Sequence, residues 1–150
     1  MLRLTRKMRY ALEAVVDIAY NARPEPVQSR EITQRQGIPQ RYLEQVMQQL
    51  VHSSILKGVR GPRGGYTLAR ERRRISVGEI IRVIGDTDDS DTEKSDTVSA
   101  LGHTVINPLW AEIQDEMMRR FDSITIEDLC KRADAASIAP EQRKLADFNI

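Results

Sequence analysis

Four of the chain's eight glycines fall within eight residues, Gly58-Val59-Arg60-Gly61-Pro62-Arg63-Gly64-Gly65. No regular helix or long strand survives such a stretch, because glycine adopts positive φ readily and proline fixes φ near −65°. On either side lie Ile55-Leu56-Lys57 and Tyr66-Thr67-Leu68, both short runs with strand character. The spacing therefore predicts a tight, basic β-hairpin.

What precedes the hairpin is helical. Met8, Leu12, Val15, Val16, Ala19 and Tyr20 recur at the spacing of one buried helical stripe, over residues 8–22. Pro24 and Pro26 end it. A second helix is predicted over 30–36, capped by the Ser29 hydroxyl and closed by Gly37. Pro39 suits the first turn of a third, carrying Leu43, Val46, Met47 and Leu50. Two helices joined by about three residues around a glycine form a helix-turn-helix, and a basic hairpin directly after it is a wing. Ser76-Val77-Gly78-Glu79 reads as the capping box of a fourth helix, buried through Ile80, Ile81, Val83 and Ile84. Residues 85–103 hold six acids, one lysine and few large apolar groups, too little to offset the entropy of ordering. Asn107-Pro108 reads as the start of a fifth helix of about 15 residues, roughly 22 Å long. A shorter helix follows Thr125.

Charge is divided along the chain. The whole carries 23 basic and 22 acidic side chains, but residues 1–84 hold 16 basic to 7 acidic and residues 85–150 hold 7 to 15. A basic front meets a polyanion and an acidic remainder stays clear of it. No apolar run reaches the length that spans a bilayer, and the basic N-terminus lacks the apolar stretch of a signal peptide, so a cytoplasmic protein is expected. One cysteine, Cys130, excludes an intramolecular disulfide framework and a thiolate-rich metal site within one chain. His52, His103 and Cys130 make no nucleophile–base pattern, and the glycines at 58–65 join strands rather than opening a helix over a phosphate. An enzyme is not expected, and neither is a cofactor or a metal.

The residues placed where DNA would lie carry the functional reading. A recognition helix offers its N-terminal residues to base edges in the major groove. Here those are Gln40, Arg41, Tyr42, Glu44 and Gln45. Arginine bonds guanine, glutamine bonds adenine, and glutamate accepts from the cytosine amino group. Lys57, Arg60, Gly61, Pro62 and Arg63 build the wing, with Arg70, Arg72, Arg73 and Arg74 just beyond it; phosphates or a narrow minor groove attract such clusters. Arg6 and Lys7 add charge at the start of the first helix.

The order and spacing of several motifs resemble the Rrf-two family of bacterial transcription regulators, the IscR/NsrR/CymR type. They are Leu4-Thr5-Arg6-Lys7-Met8-Arg9-Tyr10-Ala11-Leu12, Tyr42-Leu43-Glu44-Gln45, Val59 to Tyr66, Ile75 to Ile81, Leu109-Trp110 and Ile124 to Leu129, spread over residues 2–130. The resemblance implies a homodimeric winged-helix repressor or activator whose long C-terminal helix forms the dimer. It places Tyr42, Glu44 and Gln45 at base-reading positions and Arg60 at that of a wing arginine entering the minor groove. Arg63 stands where the family more often has glycine, which adds charge. Many members hold an iron–sulfur cluster through three cysteines before the dimer helix, sometimes with a histidine just ahead of Leu-Trp. This chain has no cysteine there, Asn107 takes the histidine's place, and Arg9 stands where some members use an acidic ligand. Iron–sulfur clusters need thiolate for most ligands. His103, Asp96 and Glu93 are donors in the region, but the stretch reads as an acidic loop rather than a site.

The expected architecture is mainly α: a winged helix-turn-helix domain over 1–84 with a small β-hairpin wing, a flexible acidic loop over 85–106, a dimerisation helix and short following helix over 107–133, and a tail over 134–150. Leu109, Trp110, Ile113, Met117 and Phe121 form the expected dimer stripe, although a tryptophan at helical spacing with Ile113 and Met117 is more often core than ligand-stacking. The expected function is sequence-specific transcription regulation, as a repressor. A homodimer binds palindromic double-stranded DNA without a cysteine-ligated cluster. In the alternative, a docked partner protein or small effector ligand supplies the signal, or Cys130 senses redox state.

Overall fold

Thr5 starts the first helix: its hydroxyl accepts the Met8 N–H at 3.1 Å, and α1 runs Arg6–Tyr20. The computed structural model describes residues 3–88 and 99–140, with the side chains of 86–88 not included. The α1 stripe of Met8, Ala11, Ala14, Val15, Ile18 and Ala19 is buried and forms the centre of the molecule. Around it stand α2 (Ser29–Gln36), α3 (Gln40–His52), α4 (Val77–Asp88) and α6 (Ile126–Ala135). Ile32, Leu43, Val46, Leu50, Ile80, Ile84 and Ile126 meet it in one core.

Helix α2 begins one residue earlier than the sequence suggests. Ser29 lies inside it, and Gln28 is the cap, its backbone N–H donating to the Glu31 carboxylate at 2.7 Å. Gly37 closes it at φ +67°, a left-handed value that glycine adopts without a Cβ penalty. Pro39 is the residue before α3 rather than its first helical one; its missing N–H has no partner to lose at either place.

The hairpin forms where expected. Strands β1 (Leu56–Val59) and β2 (Gly65–Leu68) pair antiparallel, with Leu56 opposite Leu68 and Val59 opposite Gly65. Val27 adds a single residue to this sheet, exchanging backbone hydrogen bonds with Tyr66 at 3.0 and 2.8 Å. Gly65 permits the approach, because a Cβ there would lie 2.4 Å from the Val27 carbonyl oxygen.

The C-terminal elements share the same core. Ile126 and Cys130 are buried with the helices of residues 1–84. A short antiparallel bridge joins them to the front of the chain: the Val77 N–H donates to Ile124 O at 2.8 Å and the Ile126 N–H to Ile75 O at 2.9 Å. Arg82 and Asp122 reinforce it with two hydrogen bonds of 2.7 Å, and the guanidinium holds the Asp122 carboxyl below its ordinary pKa.

Both described ends of the segment expected as a loop, 85–106, are helical. Helix α4 continues to Asp88, and a helical stretch from residue 100 passes through a π turn at Gly102–Ile106 into α5 (Asn107–Asp122). Asn107 is therefore helical, not a cap, and its N–H donates five residues back to Gly102 O. Pro108 explains the widening, since a proline ring clashes with the carbonyl four residues earlier in a regular helix. The acidic centre of the expected loop, including Glu93 and Asp96, and the end of the tail, 141–150, lie outside the described residues. No helix among the described residues is long and apolar enough to cross a membrane.

Candidate nucleic-acid interface

Amphipathic spacing turns Leu43, Val46, Met47 and Leu50 of α3 into the core. That leaves Gln40, Arg41, Tyr42, Glu44 and Gln45 exposed. Gln40 donates to the Glu44 carboxylate at 3.2 Å, one turn on, and to the Ser29 hydroxyl at 3.4 Å. Beside Ser29, the Gln28 amide reaches the Pro62 carbonyl at the wing at 3.4 Å. The start of α2 thus joins the start of α3 to the tip of the wing along one polar edge. The sequence offers Ser29 only as a cap and gives Gln28 no role; nothing local signals the contact of Gln28 with Pro62, 34 residues away.

Lys57, Arg60, Gly61, Pro62 and Arg63 are all exposed. Among the described residues, Arg6, Arg41, Lys57, Arg60 and Arg63 form no ion pair with a carboxylate. Cations left toward solvent on a hairpin and a helix start suit a polyanion. The arginines after the wing differ. Arg70 is paired with Glu79 at 2.7 Å and Arg73 with Glu71 at 2.5 Å. Arg72, Arg73 and Arg74 all remain exposed. The Glu79 carboxylate, taken by Arg70, does not complete the expected capping box, although the Ser76 hydroxyl accepts the Glu79 N–H at 3.1 Å. Lys7 is half-buried, whereas Arg6 is exposed one turn before Tyr10.

Residues 4–132 match the Rrf2 family, described as an iron-dependent transcriptional regulator. The chain belongs to the Rrf2 family. It is 32% identical over 142 residues to the HTH-type transcriptional regulator IscR of Xenorhabdus nematophila, covering 94% of this chain and 87% of that protein. Among solved structures it resembles T. potens IscR, with 33% identity, TM-score 0.73 and coverage of 95% of this chain and 96% of that one. It also resembles CymR, the global cysteine regulator of B. subtilis, with 31% identity, TM-score 0.69 and coverage of 88% and 98%. This Rrf2 protein is accordingly a DNA-binding transcription regulator with a winged-helix fold, in a family of regulators rather than enzymes.

The dimer stripe expected on α5 divides in two. Leu109, Trp110 and Ile113 are exposed, so Trp110 is not a core residue of the single chain. Met117 is half-buried, and Phe121 packs, with Met118, against the chain's own core. Leu101, Val105 and Ile106 on the preceding turn extend the exposed apolar face.

If Arg60 meets phosphate, Arg60→Ala should weaken DNA binding and flatten its salt dependence by about one unit of log affinity per log salt. Titrations at several salt concentrations check this; parallel lines for the two proteins would remove Arg60 from the interface.

Proposed function

We propose that this Rrf2 regulator is a homodimeric repressor that reads a palindromic operator through α3 and the wing. The observation that carries the reading is the polar edge Pro62–Gln28–Ser29–Gln40–Glu44. It lies among solvent-facing cations and holds Glu44 in place before DNA arrives. In this reading Tyr42, Glu44 and Gln45 face base edges, Arg41 and Gln40 lie beside them, and Lys57, Arg60 and Arg63 hold phosphates or enter the minor groove. Arg6, and Lys7 more weakly, touch the backbone. The dimer forms over Leu109, Trp110 and Ile113, and the protein acts on DNA in the cytoplasm.

A thiolate-ligated iron–sulfur cluster does not fit the donor set. The single cysteine, Cys130, lies in the core, His103 is exposed on the π turn, and Arg9 is engaged with Glu13 at 3.6 Å and with the Tyr10 ring. The described residues contain no group of three His, Cys, Asp or Glu side chains able to hold a metal ion. Cys130 also makes a poor redox sensor. Burial pushes its thiol pKa up against the opposing pull of Arg72, and the thiolate is the reactive form.

Glu44→Ala is the direct test of base reading. It should relax base choice at one operator position, costing about 1–3 kcal/mol of discrimination, with little change on scrambled DNA. Cognate and scrambled duplexes bound in the wild-type ratio would show that Glu44 reads nothing.

A further inference from the structure

Tyr10 does more than fill the core. It is the fifth residue of α1, the helix that packs against α3, and only 9% of it is exposed. Its ring centroid lies 6.1 Å from that of Tyr42, with the planes inclined by 42°, inside the range over which aromatic pairs attract. Tyr42 is 38% exposed at the start of α3. The Arg9 guanidinium sits 5.4 Å from the Tyr10 ring centre and the Arg41 guanidinium 5.9 Å from that of Tyr42, both within cation–π reach. Four side chains from two helices therefore form one layered cluster. Its inner ring is anchored in the core, and its outer ring stands on the DNA-facing surface.

We propose that Tyr10 is a positioning residue for DNA recognition, acting through Tyr42 by holding that ring, and with it Arg41, in the orientation that meets the base edges. A partly exposed tyrosine on a helix surface otherwise samples several rotamers, and binding must then select one of them at an entropic cost. Packing against a buried ring removes that cost beforehand. The proposal rests on the reading that Tyr42 faces DNA, and the experiment separates the two.

Binding of the full chain is measured to the duplex enriched from a random pool and to a scrambled duplex, for wild type, Tyr10→Phe, Tyr10→Leu, Tyr42→Ala and the Tyr10→Leu/Tyr42→Ala double variant. Tyr10→Leu should lower the ratio of enriched to scrambled affinity about three- to tenfold. Tyr10→Phe, which keeps the ring, should retain the wild-type ratio. In the Tyr42→Ala background Tyr10→Leu should lower the ratio no further, because the two act as one unit. A purely structural Tyr10 would instead lower the melting temperature in both backgrounds and leave the ratio alone. Additive losses in the double variant, or a loss in Tyr10→Phe as large as in Tyr10→Leu, would overturn the proposal. An unchanged ratio in Tyr42→Ala would overturn the DNA-facing reading of Tyr42 and the role of Tyr10 with it. A loss in Tyr42→Ala beside an unchanged ratio in Tyr10→Leu would overturn Tyr10's role alone.

Discussion

Asp17→Ala is expected to destabilise the protein by about 3–5 kcal/mol, because it strips the carboxylate from a buried ion pair and leaves the guanidinium behind. The Asp17 side chain is 0% exposed and that of Arg35 17%. Arg35 donates to both carboxylate oxygens, at 2.9 and 2.8 Å, and Gln36 adds a third hydrogen bond at 2.8 Å. The pair ties α1 to the end of α2, one turn before the recognition helix, so its loss also loosens the placement of α3. For a chain of this size the melting temperature should fall by about 6–20 °C at fixed protein concentration. Asp17→Asn, which keeps an acceptor, should cost less, about 1–3 kcal/mol. Denaturant unfolding of the three proteins decides the matter. An Asp17→Ala variant within about 0.5 kcal/mol of wild type, the range of ordinary surface changes, would show that the pair does not hold the two helices together.

Trp110→Glu is expected to give a folded monomer whose operator affinity is lower by about a hundredfold or more, the gain that linking two sites normally supplies. Leu101, Val105, Ile106, Leu109, Trp110 and Ile113 are between 39% and 65% exposed on consecutive turns, and a contiguous apolar face of this kind marks an association surface. A carboxylate at its centre would be desolvated without a partner in the dimer but stays in water in the monomer. Because Trp110 faces solvent in the single chain, helix content should be retained. Analytical ultracentrifugation and DNA titration of the same samples give the answer. A dimer of wild-type affinity would place the interface elsewhere.

The hairpin, the recognition helix and the charge division were legible in the sequence because each is written in adjacent residues: glycine and proline at 58–65, apolar spacing in α3, a sign change along the chain. The ties that assemble the interface were not. Asp17 and Arg35 are 18 residues apart, and nothing local to either signals a pairing that tertiary packing alone creates. Val27, between Pro26 and Gln28, carries no strand pattern, and its pairing with Tyr66 depends on the close approach allowed by Gly65. The carboxylate partners of Arg70 and Arg73 become visible only in the fold. Asn107-Pro108 has the composition of a helix start, yet the chain enters it through a π turn that a local propensity argument does not foresee. Phe121 keeps the helical spacing of the exposed stripe but turns to the chain's own core. Patterns that repeat along the chain survived folding, whereas pairings across it had to be seen.

If this chain reads a duplex as a dimer through α3 and the wing, selection of bound DNA from a pool of random duplexes should enrich two inverted half-sites. Their centres should lie about 34 Å apart, one turn of the double helix. A pool that stays random, or one that yields a single unrepeated half-site, would contradict it.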